Sequence, residues 1–108
     1  AALQRGLVWR AEEVGGKGIP DGGEVTIEFR DGRAAGRSGC NRYAGTAELD
    51  AGVMVFGPLA GTRMACDERT MELESAYLQA LTEVRGFVVA PEGLWLTRDD
   101  GTPTLCFG

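Results

Sequence analysis

Three cysteines carry the most reactive side chains that this sequence offers. Cys40, Cys66 and Cys106 are separated by 26 and 40 residues, so no two of them form a CxxC pair. These spacings match no usual zinc template, and we expect neither a metal site nor a cofactor. From the residues alone, two arrangements remain open: one disulfide with a leftover buried thiol, or three buried thiols.

The composition excludes several classes of function. None of the 108 residues is His, so the chain contains no Ser-His-Asp or Cys-His nucleophile and no imidazole ligand for zinc. Its 11 Lys and Arg against 16 Asp and Glu give a net charge of -5, which argues against nucleic acid as a partner. We therefore expect a protein that is not an enzyme and does not bind nucleic acid.

A polar group around Asn41 is the second candidate for chemistry. Asn41 is the only asparagine of the chain, and side chains of this type stabilise turns by bonding to the neighbouring backbone, which is the interpretation that we favour. The alternative is a binding surface formed by Asn41, Arg42 and Tyr43. Arg33 and Arg37, joined by Arg42, could form an anion-binding patch, but we favour a solvated strand face, because charges on edge strands deter aggregation.

Short strands separated by glycine turns must position these residues. The 17 glycines have no triplet period, which indicates many tight turns. Residues 24–30 alternate between apolar and polar side chains, which is typical of a half-buried strand, and Asp31-Gly32 after it predicts a hairpin. Further strands are predicted at residues 7–9, 33–39, 43–49, 53–56, 87–89, 94–96 and 104–107.

One helix interrupts the strands, and the sequence predicts it over about 68–85. Asp67 or Thr70 can cap its start, and Gly86 can occupy the position after its end. Apolar residues spaced by four, four and three positions form one stripe along it: Leu73, Tyr77, Leu81 and Val84.

These elements predict a single domain over residues 1–108 of the α+β class. We expect a curved antiparallel sheet or an incomplete β-barrel of short strands, with the helix packed across it. The longest apolar runs, such as residues 53–56, are far shorter than the roughly 20 residues of a spanning helix, so no transmembrane segment is expected.

Two short motifs resemble those of the META (HslJ-like) domain family. The first is Gly36-Arg37-Ser38-Gly39-Cys40-Asn41-Arg42-Tyr43-Ala44-Gly45, and the second is Thr62-Arg63-Met64-Ala65-Cys66. The family pattern continues with a helix that carries a Glu, which Glu72 or Glu74 fits here. The resemblance covers nearly the whole chain.

This resemblance implies a disulfide between Cys40 and Cys66 and hence an oxidising compartment. It implies a small non-enzymatic domain of the cell envelope, located in the periplasm, at the outer membrane or outside the cell. Members of the family are often lipoproteins linked to stress responses, and their biochemical activity is not established. We expect a monomer that binds an unknown protein or envelope component, with room for a lipid anchor upstream of Ala1.

Two other functions remain as alternatives. Cys106 lies outside the family pattern and leaves open a rival bridge, an intermolecular bridge or a thiol-based redox protein. An incomplete barrel can also hold an apolar molecule between its sheet and its helix, so a small apolar-ligand carrier is the second alternative.

Overall fold

The computed structural model describes residues 7–20 and 23–108, which form nine strands and one helix. In chain order, these elements are β1 (Val8–Val14), β2 (Lys17–Gly18), β3 (Thr26–Arg30), β4 (Arg33–Arg37), β5 (Arg42–Asp50), β6 (Val53–Gly61), α1 (Glu68–Thr82), β7 (Gly86–Ala90), β8 (Gly93–Thr97) and β9 (Pro103–Phe107).

The strands form one antiparallel sheet that returns on itself. Their order is β2-β1-β3-β4-β5-β6-β7-β8-β9, and β1 also pairs with β9, so the arrangement is ring-like. The strand pairing between β6 and β7 consists of a single residue pair, Val53 with Gly86. With the helix packed across this sheet, the predicted α+β class is confirmed.

Tight turns join the neighbouring strands as the glycine pattern predicts. Asp31 and Gly32 have φ angles of 52° and 77°, and Ala51 and Gly52 have 48° and 88°. Two consecutive residues with positive φ give a turn whose twist matches that of the flanking strands. Both hairpins therefore lie where the sequence places them.

The β5–β6 hairpin extends further than predicted. Each of the two strands has nine residues, and β6 continues through Pro58 to Gly61. Between the pairs Gly45–Leu59 and Ala47–Phe56 the register shifts, with two residues of β6 opposite one of β5. A bulge tolerates proline because it leaves a backbone position unpaired, so Pro58 bends the strand without ending it.

The helix begins as predicted and ends earlier. Asp67 is its N-cap, and the Asp67 carboxylate accepts a hydrogen bond from the Thr70 N–H at 3.2 Å. The last helical residue is Thr82, three residues before the predicted end, because Glu83 is the C-cap and Arg85 already donates its N–H to the Thr97 carbonyl of β8. Gly86 consequently opens β7 and does not follow the helix directly.

The core lies between the sheet and one face of α1. All four residues of the predicted helix stripe are buried, with Tyr77, Leu81 and Val84 fully enclosed. Inward residues of the strands complete this core, among them Ile27, Met54, Leu94, Leu96 and Phe107. Within the described residues, no helix is long and apolar enough to cross a membrane.

Candidate functional site

The turn between β4 and β5 packs directly against α1. Within it, the Ser38 N–H donates a hydrogen bond to the Asn41 carbonyl at 2.8 Å. Gly39 has a φ of 115°, and a Cβ atom there would lie 3.4 Å from the Thr70 carbonyl oxygen of the helix. Glycine is therefore favoured by the left-handed backbone conformation, because a Cβ atom at this distance would make only an ordinary van der Waals contact with the helix.

Glu74 on α1 lies at the centre of this turn, with only 7% of the residue exposed. Its Oε1 atom accepts hydrogen bonds from the Ser38 hydroxyl at 2.7 Å, the Asn41 N–H at 2.7 Å and the Cys40 N–H at 3.3 Å. Its Oε2 atom accepts one from the Asn41 Nδ2 at 2.9 Å. The helix and the turn, 33 to 36 residues apart in sequence, are thus held together by one carboxylate.

These hydrogen bonds keep Glu74 ionised. Burial raises the pKa of the Glu74 carboxyl, but the hydrogen bonds from Asn41, Ser38 and Cys40 outweigh burial and bring the pKa below its ordinary value of 4.5. At neutral pH a buried negative charge therefore lies between the turn and the helix.

The Asn41 side chain extends this network to the segment that follows β6. Its Oδ1 atom accepts hydrogen bonds from the Thr62 hydroxyl at 3.0 Å and the Met64 N–H at 2.7 Å, and its Nδ2 donates to the Met64 carbonyl at 3.1 Å. The favoured interpretation, a side chain bonded to the neighbouring backbone, is therefore wrong. Asn41 instead joins segments that lie more than 20 residues apart.

A disulfide holds the same segment covalently. Cys40 and Cys66 are bonded, with their Cα atoms 6.0 Å apart, in agreement with the pairing that the resemblance implies. Cys40 is 2% exposed, whereas Cys66 lies on the surface. The Cys66 N–H also donates to the Met71 sulfur at 3.4 Å, so residues 62–66 are attached to both the turn and the helix.

An open groove of about 410 Å³ lies beside this segment. The helix forms one wall of the groove, and the end of β6 with residues 62–65 forms the other. Its lining combines apolar, polar and small residues. The apolar ones are Leu59, Met64, Met71 and Leu78, the polar ones are Asn41, Thr62, Arg63 and Glu74, and the small ones are Gly61 and Ala65. We call this the Asn41–Glu74 groove.

The predicted arginine patch lies on the outer face of the sheet. Arg37 and Arg42 are cross-strand partners, while Arg33 pairs with Thr46 at the other end of β4. Arg37 is not a free cation, because its Nε lies 3.5 Å from the Glu24 carboxylate. None of these three arginines lines the groove, whose own cation is Arg63.

Tyr43 lies in the core and not on the predicted binding surface. It is 4% exposed, its hydroxyl donates to the Thr26 carbonyl at 2.8 Å, and its ring meets that of Tyr77 edge to face with centroids 5.5 Å apart. The two hydroxyls also hydrogen-bond to each other. Burial raises the pKa of the Tyr43 hydroxyl, although the bond to Tyr77 opposes it, and burial also raises the pKa of the Tyr77 hydroxyl.

Cys106 is a buried free thiol on β9, with 7% of the residue exposed. Burial raises the pKa of this thiol, and the negative charges of Glu12, Glu13 and Glu92 raise it further. Both effects favour the protonated thiol, which is a poor nucleophile.

The helical spacing of Glu74, and not its residue type, indicated that this side chain is buried. Glu74 lies three residues before Tyr77 and seven before Leu81, which places it on the buried face of α1, whereas Glu72 is exposed. Thr62 and Met64 belong to the second motif, but their contacts with Asn41 were not indicated, because Asn41 lies more than 20 residues away.

Comparisons with known proteins agree with this architecture. A model of the META domain matches residues 1–108. A protein from Burkholderia xenovorans solved by NMR is 34% identical, with 95% of this chain and 81% of that chain covered and a TM-score of 0.75. A second NMR structure is 28% identical, with 96% and 90% covered and a TM-score of 0.72. No curated protein matches the chain.

Proposed function

This chain belongs to the META domain family, and on that premise we propose that it is a non-enzymatic binding domain of the cell envelope, with the Asn41–Glu74 groove as its binding surface. The partner is a protein or another envelope component. The domain is a monomer that acts in the periplasm, at the outer membrane or outside the cell, in support of the envelope under stress, and a lipid anchor upstream of Ala1 is compatible with this role.

The observation that carries the proposal is that one wall of the groove is fixed before anything binds. Residues 62–66 are held by the Cys40–Cys66 disulfide and by three hydrogen bonds with the Asn41 side chain, which accepts two of them and donates one. A preformed wall lowers the entropy that binding must overcome. The exposed Met64 side chain, with 58% of the residue accessible, then offers apolar surface to a partner.

The side chains with nucleophilic potential support a role without catalysis. The sequence has no His, two of its three cysteines are joined in the disulfide, and the third is buried with a raised pKa. The state of Cys106 also argues against the alternative of a thiol-based redox protein.

The disulfide supports the proposed location. Such bonds persist in oxidising environments and are rare in the cytosol. An envelope or extracellular location therefore suits a domain whose binding surface depends on a disulfide.

Site-specific photo-crosslinking tests the proposal. A photoreactive residue replaces Met64 beside the groove, or Val88 on β7, outside the groove lining, as a matched control with 54% exposure. After irradiation of envelope-bearing cells, we expect discrete adducts from position 64 and none from position 88. Equal adducts from both positions, or none from position 64, would contradict the proposed surface.

A small apolar-ligand carrier remains a second candidate because Leu59, Met71 and Leu78 give the groove apolar walls. Native mass spectrometry separates the two candidates: a carrier retains a bound lipid of defined mass after purification, whereas a domain that binds proteins is recovered without one.

A further inference from the structure

The charge of Glu74 has no cationic counterpart in the described part of the chain. The four ion pairs there join Arg10 and Arg37 to Glu24, Arg30 to Glu28, and Arg98 to Glu83. Within residues 7–20 and 23–108, the partners of the Glu74 carboxylate are N–H and O–H dipoles. An ionised carboxylate on a buried residue, with no cation paired to it among the described residues, attracts one wherever a path from solvent exists.

The two oxygens of this carboxylate are used unequally. Oε1 accepts three hydrogen bonds, whereas Oε2 accepts one, from the Asn41 Nδ2. An ionised carboxylate has about four acceptor positions, two on each oxygen. Oε2 therefore retains capacity for one more donor, and Glu74 lines the groove.

The walls around Glu74 suit an aliphatic stem. Met71 and Leu78 lie on the same face of α1 as Glu74, three residues before it and four after it, and Leu59 lines the groove from β6. A ligand that places a positive charge at Glu74 thus passes apolar side chains. Long side chains that end in a charge satisfy both requirements.

We propose that the Asn41–Glu74 groove receives a lysine side chain of a protein partner, whose ammonium donates a hydrogen bond to Glu74 Oε2 while its methylene stem packs on Met71 and Leu78. This inference rests on the proposed binding function and specifies the partner's chemistry. Lysine is favoured over arginine because a guanidinium pairs best with both oxygens of a carboxylate, and Oε1 is already occupied.

Among the residues that the structure describes, Arg63 is the one cation that lines the groove, and its like charge opposes the bound ammonium. Its side chain is exposed, so this repulsion is weakened by solvent. Replacing Arg63 by Gln is therefore expected to strengthen lysine binding about two- to fivefold, the range typical of exposed charge pairs.

The test compares blocked tripeptides, Gly-Lys-Gly, Gly-norleucine-Gly and Gly-Arg-Gly, by NMR titration of the unmodified protein. We expect the lysine peptide to shift the amide resonances of Cys40, Asn41 and Met64, and the norleucine peptide, which lacks the ammonium, to bind at least about tenfold more weakly. The arginine peptide is expected to be weaker than lysine. Equal affinity for lysine and norleucine, no binding of lysine, or shifts remote from the groove would overturn the inference.

Two glutamates of α1 provide matched variants. Glu74→Gln is expected to abolish the preference for lysine over norleucine, and Glu72→Gln, at an exposed position, to leave it unchanged. A preference that survives Glu74→Gln contradicts the inference. If this variant does not fold, the peptides still decide on the unmodified protein.

Failure of this inference is distinguishable from failure of the proposed function. Crosslinking from Met64 without discrimination between lysine and norleucine leaves the groove as a binding surface and removes only its lysine specificity. If position 64 gives no crosslink and the peptides show no preference for lysine, both the proposed binding surface and its lysine specificity are contradicted.

Discussion

Replacing Glu74 by Ala removes the acceptor that four hydrogen-bond donors share. A hydrogen bond to a charged group contributes about 1.5–3 kcal/mol to stability, and a buried donor without a partner costs a similar amount. The four contributions do not add fully, because in the variant water from the groove can reach some of the donors that have lost their acceptor. We expect the free energy of unfolding to fall by about 3–5 kcal/mol, a large part of the roughly 5–15 kcal/mol of a typical domain.

Equilibrium urea unfolding, followed by far-UV circular dichroism without reductant, measures this loss. Glu72→Ala on the exposed face of the same helix is the control and should change stability by no more than about 0.5 kcal/mol. Glu74→Gln should be intermediate because it keeps one acceptor oxygen. A loss below about 1 kcal/mol for Glu74→Ala, or equal losses at positions 72 and 74, would refute the role assigned to this carboxylate.

Three further predictions concern the covalent bond, the tyrosines and the free thiol. Reductant should add two hydrogens to the intact mass, mapped to Cys40 and Cys66, and three free thiols in protein from an oxidising compartment would contradict the bond. Replacing both cysteines by Ser should lower the free energy of unfolding by about 3.5 kcal/mol, the loop-entropy contribution of a bond that spans 26 residues. The pKa values of Tyr43 and Tyr77 are raised in the folded state, so their contribution to stability is full below pH 10 and is lost as pH rises above it. Absorbance at 295 nm should therefore report no phenolate before alkaline unfolding. Cys106 should react with iodoacetamide at neutral pH only when the protein is denatured, and fast labelling of the native protein would be inconsistent with its burial.

The sequence was sufficient for the elements whose determinants are local. Alternation in residues 24–30, the Asp31-Gly32 turn and the apolar stripe of α1 depend on neighbours within a few positions, and the structure agrees with each. The end of the helix was placed too late because Val84 is buried just as a helical residue would be. Its burial results from the turn after Glu83, which periodicity does not distinguish from a further helical turn.

The continuation of β6 was missed for a different reason. The predicted strand ended at Phe56, directly before Gly57 and Pro58, two residue types that are common in turns. The structure uses them in a bulge opposite Thr46, where a Cβ atom on Gly57 would lie 2.2 Å from the Thr46 hydroxyl. Such a bulge depends on the partner strand, which local residue preferences do not reveal.

The candidate site was predicted in part. The resemblance supplied the Cys40–Cys66 bond, which the structure confirms, and the residue types singled out Asn41 as a candidate. Neither the choice between Glu72 and Glu74 nor the groove followed from residue types, because both depend on how α1 faces the turn. The contacts that create the site join positions 20 or more residues apart.

The most direct test of this account is a pH titration of the Glu74 side-chain carboxyl by carbon-detected NMR. The pKa of this group is lowered in the folded state, so its stabilising effect is present above about pH 4.5 and is lost as pH falls through the folded-state value. We expect a midpoint below 4.5, with the amide protons of Cys40 and Asn41 shifting over the same pH range. A midpoint above 4.5, or amide protons that do not follow the carboxyl, would contradict it.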